Sequence, residues 1–435
     1  LEKDKKIIIA TPNADEHYFK SHFEKLGIEV IKQPSNKNKG SRDFQLFLDL
    51  IRSFGTPNNP KDSNIDIKYQ IYLSRKPLRP LVEAVFKACV HIHRKFRVAR
   101  ILVEYLSQFR DLSEYRRILS FYNVSMLILD GIGFSSTNVS NWGYAAKGTC
   151  FSTTIITNWD HPSTKGYRSV STDQYLVWGS EMTEELMKYH DIKQQKIKEV
   201  GSALFDIYFS PEKLISKENI CLNFGLSPQK KTVLFISNSP VNFPHNISIV
   251  KYLYQLICEM NYEFQLLVRL HPLFLSLTAK NELKEHELLI NQPGIAYSIP
   301  RVLSQVLIPD MDFEEIKLSA SLINYSDLVI CLFSTMQLDA CICGKPVINI
   351  AFDWEKNQLS TQTASKFSGY IHIKRLIMKN MVDIAYNKIE LKEKIIDILS
   401  NSSKKNINFK LLERECGKLD GNSARRIAFY IQNYL

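Results

Sequence analysis

Four short segments of this 435-residue chain carry side chains suited to binding or transforming an anionic substrate. The first is Arg269-Leu270-His271-Pro272. An imidazole held by a stiff proline can hydrogen-bond a phosphate, with Arg269 beside it as an anion clamp. The other reading is a turn with an incidental histidine. The second is Phe333-Ser334-Thr335-Met336-Gln337-Leu338-Asp339. Ser334 and Thr335 fall at the expected N-cap and first turn of a helix, where N–H groups and hydroxyls meet an anion. Asp339, about one turn on, is placed to reach a ribose hydroxyl, unless it lies on a solvated face. The third is Asn158-Trp159-Asp160-His161-Pro162-Ser163-Thr164-Lys165-Gly166 and the fourth is Leu129-Asp130-Gly131-Ile132-Gly133. Each sets a carboxylate, Asp160 or Asp130, on a loop where it can deprotonate an acceptor hydroxyl. Each also fits an aspartate that caps a helix or turn. Asn158, His161 and Lys165 join these as acceptor-side residues. Asp310-Met311-Asp312 has a spacing that can hold a divalent cation. Glu314 and Glu315 follow it directly, so we read an acidic helix entry and assign no metal ligands.

Short apolar strands alternating with amphipathic helices must position these segments. Ile7 to Ala10, a helical stretch from His17 to Lys25 and Ile28 to Ile31 read as strand, helix, strand, the opening of a doubly wound α/β domain. Ser125 to Leu129, Phe151 to Thr157 and Gln174 to Trp178 read as later strands of that unit. A second alternation runs through the strands Thr232 to Ser237, Phe264 to Arg269, Leu328 to Leu332 and Pro346 to Ile350. The helices Ile247 to Met260, Ile316 to Tyr325 and Thr335 to Cys343 separate them. The expected division is 1–210 and 211–435, with the tail from Leu391 read as helices of the second domain. All four segments then follow strands, where ligands of open α/β sheets bind. Gly55 to Ser63 reads as a surface loop.

Hydrophobic residues make up 45% and charged ones 23%, which excludes disorder and small disulfide scaffolds. The eight cysteines include no C-x-x-C pair, as in a reduced cytosolic protein with buried thiols. No apolar run of spanning length occurs, and GxxxxGK[ST], GxGxxG after a strand, HExxH and GxSxG are absent. The net charge of +11 calls for an anionic partner. Residues 75–117 concentrate it, with eleven Lys or Arg against four acidic residues. Within them Leu81, Val85, Ala88, Cys89 and Ile92 share one helical face. That face reads as packed on the core beneath a solvated basic one. The functional alternative is a surface for anionic lipid headgroups or a lipid-linked acidic glycan.

The segment Asn158 to Gly166 resembles the Ser-Trp-Asp-Asn…Thr-Lys-Gly signature of bacterial GT-B glycosyltransferases of surface polysaccharide synthesis. Tyr175 to Gly179, Tyr189 to Ile192, Val200 to Asp206, Arg269 to Pro272, Ser334 to Ile350 and Asp420 to Ala428 continue the likeness. It covers the chain from about Ser125 onward and is poor over the first 120 residues. It implies two Rossmann-like domains facing a central cleft, with C-terminal helices. The acidic-Gly, His-Pro and Ser/Thr motifs are similar to those that bacterial sialyl-, polysialyl- and Kdo-transferases use with CMP-sugars. On that likeness His271-Pro272 and Ser334-Thr335 hold the nucleotide phosphate, and Asp130-Gly131 supplies the carboxylate. Leu129 stands where such families often carry a second acid. CDP-glycerol glycerophosphotransferases share a similar arrangement, and UDP-sugar enzymes occur among the related proteins.

The expectation is therefore a metal-independent glycosyltransferase without a cofactor. Its donor is a nucleotide-sugar, CMP-linked before UDP-linked, and its acceptor a surface polysaccharide or lipid-linked glycan. It would work in the cytoplasm or at the cytoplasmic face of the inner membrane, with peripheral attachment to anionic lipid. The alternatives are a polyol phosphotransferase and a UDP-sugar 2-epimerase of the same fold. Nucleic acid is not expected as a partner, because no RNP-type aromatic interleaving, helix-turn-helix or zinc pattern accompanies the charge.

Overall fold

The computed structural model describes residues 5–34, 42–60, 63–75, 79–133, 137–240, 243, 245–275, 280–301, 312–354, 364–400 and 407–434. They form two units, Leu1–Ser202 together with Glu413–Leu435, and Ala203–Leu412. The boundary lies slightly before the expected one, and the last helices belong to the first unit instead of the second.

In the first unit, β1 (Ile8–Thr11) and β2 (Glu29–Lys32) pair in parallel as a sheet of two. They and the later strands belong to one unit as expected, but among the described residues β1 and β2 pair with no other strand. β3 (Met126–Asp130), β4 (Phe151–Ile155), β5 (Gln174–Val177) and β6 (Ile197–Glu199) make a separate parallel sheet in sequential order. The helices Arg42–Phe54, Asn64–Arg75, Pro80–Lys95, Arg97–Leu106 and Ser113–Phe121 come between the two sheets. Ile51, Phe54, Tyr69, Phe86 and Val90 fill one core among them.

Of the face of Pro80–Lys95 expected inside, Cys89 packs half-buried against the core and the other four residues are outside. Leu81, Val85 and Ile92 are exposed, whereas Phe86, Val90 and His93 are buried. Both stripes are apolar, and polar anchors decide between them: the His93 ring bonds the Gly55 carbonyl at 2.7 Å, and Arg94 Nε donates to the Phe54 carbonyl. The same anchor buries Gly55, Thr56 and Pro57, so the expected surface loop is a core element over those residues. A Cβ on Gly55 would come within 2.4 Å of the His93 ring.

The tail joins the first unit through polar contacts, one of them fully buried. Trp159 Nε1 donates to Glu415 at 3.0 Å, and Arg426 Nε donates to the Val200 carbonyl at 2.9 Å. Gly417 lies so close that a Cβ would sit 2.3 Å from the Trp178 carbonyl.

The second unit holds β7 (Lys231–Ile236), β8 (Phe264–Arg269), β9 (Ile295–Ser298), β10 (Leu328–Cys331), β11 (Val347–Ile350) and β12 (Asp383–Ala385). All pair in parallel in the order β12-β11-β10-β7-β8-β9. β8, β10 and β11 are buried along their whole length, which is why they read as unbroken apolar runs. The chain leaves β7 in one direction through β8 and β9, then returns to build β10, β11 and β12 on the other side. The carboxyl ends of β7 and β10 are thus a topological switch point, where doubly wound sheets bind ligands.

Candidate functional site

At the switch point the chain leaves β7 through Ser237, Asn238 and Ser239. Asn238 Nδ2 donates to the Leu332 carbonyl beyond β10 at 3.1 Å, tying the two strand exits together. Asn238 also receives Ser239 N–H on its Oδ1 and gives its own N–H to Asn246. Ser239 Oγ is buried, with no hydrogen-bond partner among the described residues. One strand over, Ser237 Oγ accepts the His271 N–H at 2.8 Å and fixes the exit from β8. His271 Nδ1 accepts from Leu273 N–H at 3.1 Å. That bond assigns the ring proton to Nε2, which is left as a donor. Burial pushes the His271 pKa down to about 4, so the ring is neutral at physiological pH. Pro272 opens the short turn Pro272–Leu275 that follows.

The Ser/Thr segment follows β10. Phe333 takes a left-handed φ of 54°, its N–H held by Asn349 Oδ1 at 2.8 Å. Gln337 Oε1 in turn receives Asn349 Nδ2. Ser334 Oγ accepts Met336 N–H at 3.3 Å, while Thr335 makes no side-chain cap bond; both are half-buried.

Two residues of this set do something other than expected. Arg269, read as an anion clamp, is buried and committed to Glu315, Ser298 and Ser319. Glu315 neutralises the guanidinium where apolar strands surround it, so Arg269 fixes β8 to β9 and to the helix Phe313–Tyr325. Asp339, read as reaching ribose, accepts from Tyr208 OH at 2.8 Å, and burial raises its pKa to about 6. Of the D-x-D segment, Asp310 and Met311 lie outside the described residues. Asp312 caps Phe313–Tyr325 by accepting Glu315 N–H.

The first unit gathers a second cluster at the carboxyl ends of β3 and β4. Asp130 ends β3, exposed, with Thr157 Oγ1 donating to its Oδ1 at 2.5 Å. Asp160 begins the short helix His161–Thr164 and accepts from Thr164 Oγ1 at 2.6 Å. Asn158 is exposed and gives its carbonyl to His161 N–H. The His161 ring lies close to Gly131, where a Cβ would be 3.1 Å from Nδ1, and that nitrogen has no hydrogen-bond partner among the described residues. Burial lowers the His161 pKa, with Asp160 and Asp130 opposing it and Lys165 and Lys68 adding to it.

Sequence reasoning missed Lys68, on the helix Asn64–Arg75. Its Nζ donates to the Thr164 carbonyl at 3.1 Å, and burial followed by the charge of Lys165 lowers its pKa to about 8. Asp130, Asp160, His161, Lys165 and Lys68 thus form one electrostatic cluster, able to accept a proton and to hold an anion. Ser237, Asn238 and Ser239 were also missed, since they follow an apolar strand without any motif. Among the described residues no group of His, Cys, Asp and Glu has the arrangement of a metal site.

No family model matches the chain, and no curated protein matches it by sequence. Among solved structures, a glycosyltransferase from Rickettsia africae ESF-5 is similar over 98% of this chain and 90% of that one, at 13% identity and a TM-score of 0.51. A UDP-GlcNAc 2-epimerase from Neisseria meningitidis, bound to UDP-GlcNAc, is similar over 74% and 80%, at 14% identity and a TM-score of 0.49. The wall teichoic acid polymerase TagF, solved with CDPG, is similar over 78% and 98%, at 13% identity and a TM-score of 0.41. The likeness to the rickettsial protein is one of fold: the chain is an α/β protein of the GT-B kind, with two Rossmann-like units.

Proposed function

We propose that this chain is a glycosyltransferase that uses a nucleotide-activated sugar, a CMP-sugar before a UDP-sugar, to extend a bacterial surface polysaccharide or lipid-linked glycan. One observation carries the reading: His271 presents a neutral imidazole with its Nε2–H as donor beside the switch point of the second unit. A phosphate that leaves with the bonding electrons gains negative charge as the glycosidic bond breaks. A fixed donor at that place stabilises it without reorganising. Ser239, Ser334 and Thr335 supply hydroxyls at the neighbouring strand exits. These donors can do the work of a metal, so turnover in EDTA should match turnover with added divalent ion.

The first unit takes the acceptor. Asp130 is the better placed of the two carboxylates: Thr157 orients one oxygen and the group faces solvent. It removes the acceptor hydroxyl proton as that oxygen attacks the anomeric carbon. Asp160 is engaged by Thr164 and acts with His161, Lys165 and Lys68 to set the charge around that step. The test is incubation with CMP-, CDP- and UDP-activated donors, with and without a glycan acceptor. Acceptor-dependent release of nucleotide supports transfer. Donor turnover without acceptor would instead identify an epimerase, and release of CMP from CDP-glycerol a polyol phosphotransferase.

A further inference from the structure

The helices Pro80–Lys95 and Arg97–Leu106 pack into the first unit by one side only. Phe86, Val90 and His93 of the former and Arg100 of the latter are buried. On the other side Leu81, Val85 and Ile92 stand exposed, Leu81 at 77%. The second helix exposes Val98, Ile101, Leu102 and Tyr105, a spacing that makes one stripe along it, Val98 again at 77%. Phe96 joins the two helices and is exposed as well. A soluble monomer rarely leaves so many large apolar side chains in water along two successive helices.

The exposed charges left unpaired beside this surface are basic. Arg79, Lys95 and Arg97 are exposed, and none has an acidic partner among the described residues. Lys87, His91 and Arg94 line a recess of about 370 Å³ on the adjoining side of Pro80–Lys95, where Lys87 is paired with Glu83 and Arg94 with Asp66. The two acidic residues within these helices are already engaged: Glu83 pairs with Lys87, and Glu104 with Arg168 and Lys147. Two copies facing each other here would oppose like charges.

We propose that this face docks on an anionic lipid bilayer, both helices lying in the interface with the apolar stripe turned to the acyl chains. Arg79, Lys95 and Arg97 meet phosphate headgroups, and the rings of Phe96 and Tyr105 sit at the headgroup level. No helix among the described residues is long and apolar enough to cross a membrane. The inference goes beyond the transferase reading and stands on the surface alone.

The test floats the full chain with vesicles of equimolar phosphatidylcholine and phosphatidylglycerol, and with phosphatidylcholine alone. The chain should bind the anionic vesicles. A V98S/I101S/L102S variant and a K95E/R97E variant should each bind at least about tenfold more weakly, with Tm unchanged. Should the triple variant fail to fold, Tyr105→Trp in the otherwise intact chain should show a blue-shifted emission on anionic vesicles. Wild-type binding to neither vesicle, equal binding to both, a triple variant that floats like wild type, or an unshifted emission would each overturn the proposal. So would loss of a wild-type dimer in the triple variant without vesicle binding, which would assign the face to a second copy. Nucleotide binding is read separately, so failure here leaves the transferase reading to its own test.

Discussion

What the candidate site can do depends on where single protons and lone pairs are held. Burial keeps His271 neutral, and Leu273 N–H fixes which ring nitrogen donates. His271→Ala should weaken nucleotide binding by about 1.5–3 kcal/mol, the worth of a hydrogen bond to a charged group, measured by calorimetry. Asp130→Asn keeps the shape but cannot take a proton. It should lower turnover by about 10²- to 10⁴-fold and leave nucleotide affinity as it was. Asp160→Asn weakens the bond from Thr164 and should cost about 1 kcal/mol of stability in urea denaturation. A loss of turnover in Asp160→Asn equal to that in Asp130→Asn would move the base to Asp160.

The elements explain why those residues meet. β3 ends in a turn where Gly133 has φ +82°, and a Cβ there would stand 2.5 Å from the Lys165 carbonyl. Gly133→Ala should destabilise the first unit by about 1–3 kcal/mol, read as a lower urea midpoint, and reduce turnover without touching nucleotide binding. A buried ion pair fastens the helix Arg97–Leu106 to the C-terminal end of the helix Ser180–His190. Arg100 reaches Asp191, and Tyr167 OH donates to the same carboxylate. Against the upward push of burial, these two hold the Asp191 pKa below its usual range.

How far the elements could be read from sequence follows from the same physics. The central strands of the second unit were legible because burial on both faces leaves an unbroken apolar run. β9 and β12 were not, being short edge strands without such a run. The exposed stripe of Pro80–Lys95 was misassigned because that helix carries two apolar stripes. Only the bonds of His93 and Arg94 to Gly55 and Phe54, across about 40 positions, select the inner one. His271, Ser334, Thr335, Asp130 and His161 were visible because each sits in a short motif after a strand. Lys68 was not, since its contact with Thr164 joins residues 96 positions apart.

For the whole molecule, charge is partly structural. Arg94, Arg100 and Arg110, three of the cations of the basic segment, are bound to Asp66, Asp191 and Asp49. Burial also sets the response to acid. His93, His190, His271 and His286 are all pushed down to about 4. Unfolded, they take up protons near pH 6.5, so the unfolded state binds more protons between about 6.5 and about 4. Stability should therefore fall as pH drops through that window, by up to about 1.4 kcal/mol per pH unit for each histidine. Urea midpoints at about pH 7 and about pH 5 check this. The central claim, that the second unit binds a nucleotide through His271, is tested most directly by thermal shift with CMP, CDP, UDP and GDP on wild type and His271→Ala. One nucleotide, CMP before UDP, should raise the wild-type Tm, reflecting about 2.7 kcal/mol at a hundredfold excess over Kd. The variant should lose that rise. An equal rise in both proteins, or none with any nucleotide, would contradict it.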